Sequence, residues 1–395
     1  MRHVIIGAGA AGITAAQTIR KHSPSDEIIM ISTDKTVVSR CMLHKLIGGE
    51  RSELSFVPQD FFKKYNIIWH NGATVTEVDQ ANKTVKFDGQ TESFDKLLIA
   101  TGARSTFPPI PGLKDAKNVY GLRDLSDAET IREKAGSAKN IVIMGAGLVG
   151  LDAAYGLTQM GKRPTVIDMA GYVLSANLDQ RAASRYQAEF EIAGCQFKFN
   201  SKVGEVITDG SGNVSGLKVN GNEDMPCDLL IVAAGVAPEN ALIPQQVDKY
   251  LNAGNSEIYA AGDAAGLSAS WPNATEQGEV AALNMCGIKT EYHGNALLQN
   301  TVNFFGIKSL SLGEFNPRDN DECEIREDKA KYQKIVLRGG VPVGVILQGD
   351  IARSGFWQHM IKNKTNVSDI SKPVWKLSFA DGYGLNENAE YEWSK

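Results

Sequence analysis

Two doubly wound α/β units followed by a smaller α+β domain are predicted by three observations. A glycine-rich turn sits between an apolar run and a helical stretch at the start of the chain. The same arrangement returns after residue 140, and from about Phe305 the pattern changes to alternating strands with one helix.

The first unit opens with the apolar run His3 to Ile6, which ends in Gly7-Ala8-Gly9-Ala10-Ala11-Gly12. A small-residue helical stretch follows, and then a second run, Glu27 to Ile31. That order is strand, glycine turn, helix, strand. It repeats as Asn140 to Met144, Gly145-Ala146-Gly147-Leu148-Val149-Gly150, a helix through Met160, and Thr165 to Ile167. Pro108, Pro109, Pro111 and Gly112 form a turn-rich connection between the units where a helix cannot continue. Asp209-Gly210-Ser211-Gly212 reads as a hairpin turn inside the second unit. In the third domain, Lys334 to Leu337 and Val341 to Leu347 read as strands and Ser354 to Lys362 as a helix. The stretch Lys372 to Lys395, rich in Trp, Tyr, Asn and Glu, has no clear period and suggests no role.

Composition narrows the function classes. With 395 residues and 43% hydrophobic content the chain is long enough for two or three cored domains, and 22% charged residues is ordinary for a soluble protein. A net charge of -5 supplies no broad basic field for nucleic acid or an anionic membrane, and neither partner is expected. Cys41, Cys195, Cys227, Cys286 and Cys323 are scattered without a C-x-x-C or zinc spacing, which argues against a disulfide scaffold or a metal site. No apolar run reaches the roughly 18 residues of a membrane span, and the chain enters its first strand without a signal peptide's h-region. A soluble protein of the reducing cytoplasm is expected.

The glycine turns carry the first chemistry. In such a turn the first glycine allows the bend, the second lets backbone approach a pyrophosphate, and the third lets helix and strand pack closely. Gly7, Gly9 and Gly12 fill those places in the first unit, and Gly145, Gly147 and Gly150 in the second. The helix N-terminus behind each adds free N–H groups and partial positive charge. One such motif arises easily from small-residue packing; two, each between strand and helix, point to two dinucleotides. Asp168 ends the second unit's second strand, where a carboxylate accepts from an adenosine ribose, and no Arg follows it to meet a 2′-phosphate. NADH is therefore expected over NADPH. In the first unit Ser32 holds the usual strand-end position, and the nearest acid, Asp34, is the candidate for the ribose.

Two further segments, FDKLLIATGAR (Phe94 to Arg104) and EIYAAGDAA (Glu257 to Ala265), are strands ending in glycine beside a small or acidic residue. With them the chain resembles the flavoproteins that carry two dinucleotide-binding domains, the glutathione-reductase-like pyridine nucleotide-disulfide oxidoreductases. The resemblance covers about residues 1 to 305. It implies two Rossmann-like domains, FAD in the first and NADH in the second, with Thr101 and Gly102 closing the crossover. It implies that Gly262 and Asp263 contact the FAD ribityl or pyrophosphate region, and that CDLLIVAAGVAPEN (Cys227 to Asn240, with Gly235) returns the chain to the FAD domain. The implied domains are 1–111 with 238–305 for FAD, 112–237 for NAD, and 306–395 for the C-terminal α+β domain with its tail. A helix from Trp271 to Met285, with Thr275 in its first turn, would aim its N-terminus at the flavin pyrimidine ring, where backbone donors stabilise negative charge.

The segment SRCMLHKLIGG, Ser39 to Gly49, supports two readings. Arg40, Leu43 and Lys45 resemble the RPPLSK segment of rubredoxin-reductase-type flavoproteins, which implies a lysine near flavin N5. Cys41, Leu43, Ile47 and Gly48 resemble the CGLPYYIGG segment of NADH oxidases and coenzyme A disulfide reductases, which implies a redox thiol. A cysteine beside Lys45 and a helix N-terminus would have a lowered pKa. Cys41 and Lys45 are thus the catalytic candidates, and Arg40 joins the cofactor contacts.

Other features separate the branches. The peroxidase branch has a histidine inside the first glycine motif, where this chain has Ala10 and Ala11, and the paired C-x-x-x-x-C of dithiol enzymes is missing. QKIVLRGGVPVGVILQGD, Gln333 to Asp350, is similar to the small C-terminal domain of rubredoxin reductases and of the flavin module of assimilatory nitrite reductases. Asp152 stands where the family commonly has a glutamate beside the nicotinamide, one methylene longer. The expected function is hydride transfer from NADH to FAD, then electron transfer to a small iron protein such as rubredoxin or a ferredoxin. Two alternatives stay open: an NADH-dependent thiol-disulfide reductase or NADH oxidase using Cys41, and the flavin subunit of a larger redox complex.

Overall fold

The computed structural model describes residues 1–221, 223–267, 270–294, 299–368, 370–385 and 387–393. Two compact units make up the chain. The larger gathers Met1–Gly145, Val149–Ile167 and Gly194–Gly294; the smaller gathers Ala146–Leu148, Asp168–Ala193 and Asn295–Lys395.

Two parallel sheets organise the larger unit, as the near-continuous apolar runs require: a strand covered on both faces has no polar side to alternate with. The first sheet runs Ile258–Ala260, Lys96–Ile99, Arg2–Ile6, Glu27–Ser32 and Ile67–Asn71. The second runs Gln196–Lys198, Thr165–Ile167, Ile141–Met144, Leu229–Val232 and Val119–Tyr120. In each sheet the strand that feeds the glycine turn lies inside, flanked by neighbours on both sides, so the turn opens at the crevice where ligands bind in doubly wound folds. The segment after each parallel sheet's ATG-type strand meets its return partner in a two-stranded ribbon, Ala103–Ser105 with Val236–Pro238. The turn at Asp209 to Gly212 joins Val203–Thr208 to Val214–Val219 as the sequence suggests.

Helix Trp271–Met285 crosses helix Ala10–His22 at closest approach over Gly278, where an added Cβ would stand 2.3 Å from the carbonyl oxygen of Ala11. No side chain fits there. Glycine at that position lets the two helix N-termini lie beside the same strand ends.

The smaller unit centres on a five-stranded antiparallel sheet ordered Gln299–Phe304, Ile307–Gly313, Val341–Gln348, Tyr332–Arg338 and Glu322–Glu327. Leu310, Leu312, Ile335, Val345 and Leu347 pack against Phe356, Trp357 and Met360 of helix Ser354–Lys362. The alternate residues face helix Gln180–Ile192, whose buried Tyr186 hydroxyl lies 2.9 Å from the Ile307 carbonyl and 2.7 Å from Ser309 Oγ. Below that helix Asp179 meets Lys334 Nζ at 3.0 Å and accepts from the Tyr332 hydroxyl at 2.7 Å. Two corrections follow. The C-terminal sheet begins at Gln299, ahead of the expected start at 306, because that strand pairs along its whole length with Ile307–Gly313. Helix Gln180–Ile192, inside the expected NAD segment 112–237, belongs to the compact unit of this sheet, because Tyr186 and Phe190 bury themselves against it. The tail without a period contains the antiparallel pair Tyr383–Leu385 and Tyr391–Trp393.

All five cysteines are free. Among the described residues no helix is long and apolar enough to cross a membrane.

Candidate functional site: two glycine turns and the cleft beside them

The two turns repeat each other atom for atom in their packing. A Cβ on Gly7 would stand 2.2 Å from the Ala100 carbonyl oxygen, and one on Gly12 2.0 Å from the Gly7 oxygen. On Gly145 it would stand 2.3 Å from the Ala233 oxygen, and on Gly150 1.9 Å from the Gly145 oxygen. Gly7 and Gly145 also take φ of +111° and +115°, the region that suits glycine. The middle glycines differ: nothing lies within 4 Å of a Cβ built on Gly9 or Gly147. Packing therefore demands the first and third glycines, while the middle one keeps backbone bare toward open space. Helix Ala10–His22 starts at Gly9 with no side-chain cap and no acid in its first turn, so its first N–H groups are offered to an outside acceptor. That bare, positively polarised backbone fits a dinucleotide pyrophosphate.

Asp168 accepts from the Ala146 N–H at 2.5 Å and from the Ala170 N–H at 2.7 Å, which ties the strand end to the glycine turn. Asp34 is held by Arg40 at 2.9 Å, and Arg40 also reaches Asp124 at 3.0 Å. The sequence does not announce this bridge, since Asp124 lies 84 residues from Arg40.

Asp263 pairs with Arg123 at 2.7 Å, and the same guanidinium donates to the Ala103 carbonyl at 3.0 Å. Arg123 is itself held: Asp127 accepts from its backbone N–H at 2.8 Å. Gly262, at φ +74°, donates its N–H to Gln277 Oε1 at 2.9 Å, and Gln277 is fully buried. The Thr101 hydroxyl donates to the Glu239 carbonyl, and Gly102 and Gly235 both take positive φ where the chain turns into the ribbon. Arg123 and Gln277 were missed from sequence.

The helix at Trp271 is less open than expected. Pro272 has no N–H, the Asn273 N–H donates to Ser270 Oγ, and the Thr275 hydroxyl is spent on the Pro272 carbonyl at 2.8 Å. Fewer first-turn donors remain for an outside group than the motif alone suggests.

The segment Ser39 to Gly49 shows the largest departure. Lys45 pairs with Glu50 at 3.2 Å, and it is the neighbouring His44 that meets Asp152, Nδ1 to Oδ1 at 3.1 Å. Helix Leu43–Ile47 lies so close to helix Leu148–Gln159 that a Cβ on Gly156 would stand 2.7 Å from the His44 carbonyl oxygen. This contact puts His44 over Asp152 and edge-on to Tyr155, with ring centroids 5.8 Å apart. Burial pushes the Asp152 carboxyl up, and His44 opposes the shift.

Cys41 is open to solvent on one side. Protein packed on its other sides, then the carboxylates of Asp152 and Asp263, push its thiol above the usual range, with Arg123 acting the other way. The lowered pKa expected of a nearby Lys45 is not found: Lys45 pairs with Glu50, and burial leads the upward shift of the thiol. Among the described residues no group of three or more His, Cys, Asp or Glu side chains is placed to hold a metal.

Two glycine turns of this construction on two parallel sheets define a dinucleotide-dependent α/β protein. The chain belongs to the pyridine nucleotide-disulphide oxidoreductase family, whose sequence profile matches residues 1–278. Residues 299–365 match the rubredoxin NAD+ reductase C-terminal domain. The nitrite reductase [NAD(P)H] of Bacillus subtilis is 30% identical over 93% of this chain and 48% of its own, so the chain spans about half the length of that relative. A rubredoxin-NAD(+) reductase of Pseudomonas putida is 29% identical over 73% of this chain and 81% of its own. A ferredoxin reductase structure from Rhodopseudomonas palustris superposes with a TM-score of 0.82 over 93% of this chain and 95% of its own, at 24% identity, a likeness of fold.

Proposed function

We propose that this chain is an FAD-containing NADH oxidoreductase that passes electrons to a small iron protein such as rubredoxin or a ferredoxin. The observation that carries the reading is the pair of bare middle glycines, Gly9 and Gly147, each beside two glycines that packing alone demands. Bound FAD would accept a hydride from NADH and release electrons singly. The residues of this chain supply position and charge. Gly7, Gly9 and Gly12 hold the FAD pyrophosphate; Arg123 and Asp263, clamped to each other, face its sugar side; Asp34, with Arg40 behind it, takes the ribose. Gly145, Gly147 and Gly150 hold the NADH pyrophosphate, with Asp168 its ribose ligand. Asp152 and His44 form the protonatable pair beside the nicotinamide.

Direct transfer to a protein partner is favoured over a thiol relay because Cys41 has no second cysteine paired with it and its thiol is pushed up, whereas a relay needs thiolate at working pH. The match of residues 299–365 to the rubredoxin reductase C-terminal domain points the same way. The five free cysteines suit a reducing cytoplasm. A second reading, the flavin module of a larger redox enzyme, is favoured by the match of 93% of this chain to about half of a nitrite reductase.

The deciding experiment is anaerobic. Gently purified protein should be yellow with about one FAD per chain, and NADH should bleach it far faster than NADPH. Reduced protein is then mixed with rubredoxin, ferredoxin, a disulfide panel or oxygen, using the parent and Cys41→Ser. Rubredoxin or ferredoxin turnover that survives Cys41→Ser supports the reading. A colourless protein that takes up no FAD refutes it, and turnover confined to disulfide or oxygen and lost in Cys41→Ser moves the function to the thiol branch.

A further inference from the structure

We propose, resting on the reading of Gly147 and Asp168 as NADH contacts, that the C-terminal sheet sets the geometry of the second nucleotide turn. It acts through the segment that joins Asp168 to helix Gln180–Ile192, and Asp179, Lys334 and Tyr332 are positioning residues for NADH. Ala146–Leu148, Asp168–Ala193 and the C-terminal sheet all fall in the smaller compact unit, so these nucleotide contacts belong with the sheet.

One end of the segment grips the turn. Asp168 accepts from the Ala146 N–H at 2.5 Å, and Leu174 donates its own N–H to the Ala146 carbonyl at 2.8 Å. Both polar groups of Ala146 are thus held by the segment. In a trans peptide the N–H lies opposite the C=O, so the bond from Leu174 turns the Gly147 N–H the other way, along exposed backbone that no side chain covers. Leu174 takes a φ of +54° while 1% exposed, a conformation that costs a leucine and persists only where its surroundings over-determine it. Val173 and Leu178 are buried as well, and the N–H groups of Asn177 and Leu178 donate to the Leu174 carbonyl at 2.8 and 2.9 Å. A segment packed and bonded in this way passes a shift at one end to the other.

The other end is fixed by charge. Asp179 Oδ1 accepts from the Ala182 N–H at 3.0 Å and caps the helix; Oδ2 takes Lys334 Nζ at 3.0 Å and the Tyr332 hydroxyl at 2.7 Å. Tyr332 and Lys334 stand two apart on one strand and so face the same side of the sheet. One turn into the helix, the buried Gln348 donates from Nε2 to the Ala182 carbonyl at 3.0 Å. Lys334 and Gln348 lie near the two ends of Gln333 to Asp350, the stretch that marks the third domain in sequence. Lys334 is only 8% exposed, and stability alone does not call for a buried ion pair, since apolar residues of similar volume hold two elements together as well or better. What the pair adds is register: apolar faces slide at little cost, whereas moving Asp179 strands a buried ammonium and a phenol.

The test uses the full chain with its FAD. Anaerobic flavin reduction is followed with NADH and with reduced nicotinamide mononucleotide, which lacks the adenosine ribose, and the same samples are melted. Asp179→Asn keeps the helix cap and removes the charge. It should raise the Kd for NADH about fivefold or more, with the limiting rate and the reaction with the mononucleotide within about twofold of the parent. Adding Lys334→Met removes the stranded cation; the double variant should regain melting temperature and keep the weakened affinity. Leu347→Ala, on the sheet's other face, should lower the melting temperature and leave the NADH Kd alone. Parental NADH affinity in Asp179→Asn, an equal loss with the mononucleotide, affinity that returns with stability in the double variant, or the same loss in Leu347→Ala would each overturn the proposal and leave the nucleotide reading standing. A parent that takes no hydride from NADH would refute the nucleotide reading and this proposal with it. Should Asp179→Asn fail to fold, Tyr332→Phe, which loses one hydroxyl, decides the question through an expected rise in NADH Kd of about threefold.

Discussion

Substituting alanine at the second and third glycines of one turn separates packing from nucleotide binding. Gly12→Ala places a methyl 2.0 Å from the Gly7 carbonyl oxygen, a backbone atom that cannot rotate aside. Helix and strand must part by roughly 1 Å, and overpacking of this kind costs about 3 kcal/mol or more. Gly9→Ala meets nothing within 4 Å, and the φ of Gly9 is -82°, which alanine adopts freely. Alanine is a poorer N-cap than glycine by up to ~1 kcal/mol, and the stiffer unfolded chain returns about 0.4–1 kcal/mol, so the apoprotein should melt near the parent. FAD affinity should fall instead. A methyl between backbone and pyrophosphate breaks one or two charge-assisted hydrogen bonds of about 1.5–3 kcal/mol each, which is about 10-fold or more in Kd. Thermal melts of apoprotein and FAD titrations of Gly9→Ala and Gly12→Ala give the comparison. The second turn repeats it: Gly150→Ala would meet the Gly145 oxygen at 1.9 Å and Gly147→Ala nothing, with NADH affinity as the readout and FAD content unchanged. Gly9→Ala with parental FAD affinity would show that the open space is not where phosphate approaches, and a stable Gly12→Ala would refute the packing argument.

Arg123→Gln and Asp263→Asn break a pair at 2.7 Å whose side chains are 21% and 16% exposed; each should cost the apoprotein about 1–3 kcal/mol, and their double-mutant cycle should show coupling, with additivity counting against a direct pair. His3, fully buried, is held below its usual 6.5 by burial, with Asp26 opposing. The unfolded chain then binds the extra proton first, so this stabilisation is present above pH 6.5 and is lost as pH falls from 6.5 toward the folded value; denaturation of His3→Gln should show a shallower slope in that window, and an identical slope would remove His3 from the account. Iodoacetamide should label Cys41 more slowly at pH 7.5 than an ordinary thiol and go on accelerating beyond the pH at which an ordinary thiol levels off, and rapid labelling at neutral pH would reopen the thiol relay.

The legible parts of this fold are those whose physics is local. A strand buried on both faces is mostly apolar, so residues 4–6 and Ile141–Met144 stand out as runs, and a turn that brings helix and strand into contact must use glycine at Gly12 and Gly150. Glu322–Glu327 shows the opposite case: all six residues are exposed, so the brief alternation of Cys323 and Ile325 with charged residues meets no core, and only the ladder to Tyr332–Arg338 makes them a strand. Gln299–Phe304 carries a short alternation, Val302 and Phe304 inward, too brief to set a boundary against.

The site residues that went unseen are those fixed by long-range pairing. Arg123 reaches Asp263 across 140 residues, and no spacing encodes that. At Lys45 the resemblance implied a lysine near flavin N5; the structure pairs Lys45 with Glu50 and sets the neighbouring His44 against Asp152. Adjacent residues on a helix point about 100° apart, so a resemblance that aligns the backbone does not fix which way His44 and Lys45 point. The structure decides through Gly156, one turn beyond Asp152 on the same helix face, whose missing side chain lets Leu43–Ile47 press in at His44. The short side chain of Asp152 suits the pair, because the close helix contact brings the His44 ring within 3.1 Å of its carboxylate. Asp152, Gly156 and His44 are in this sense one local solution, brought together by the approach of two helices that no sequence spacing encodes.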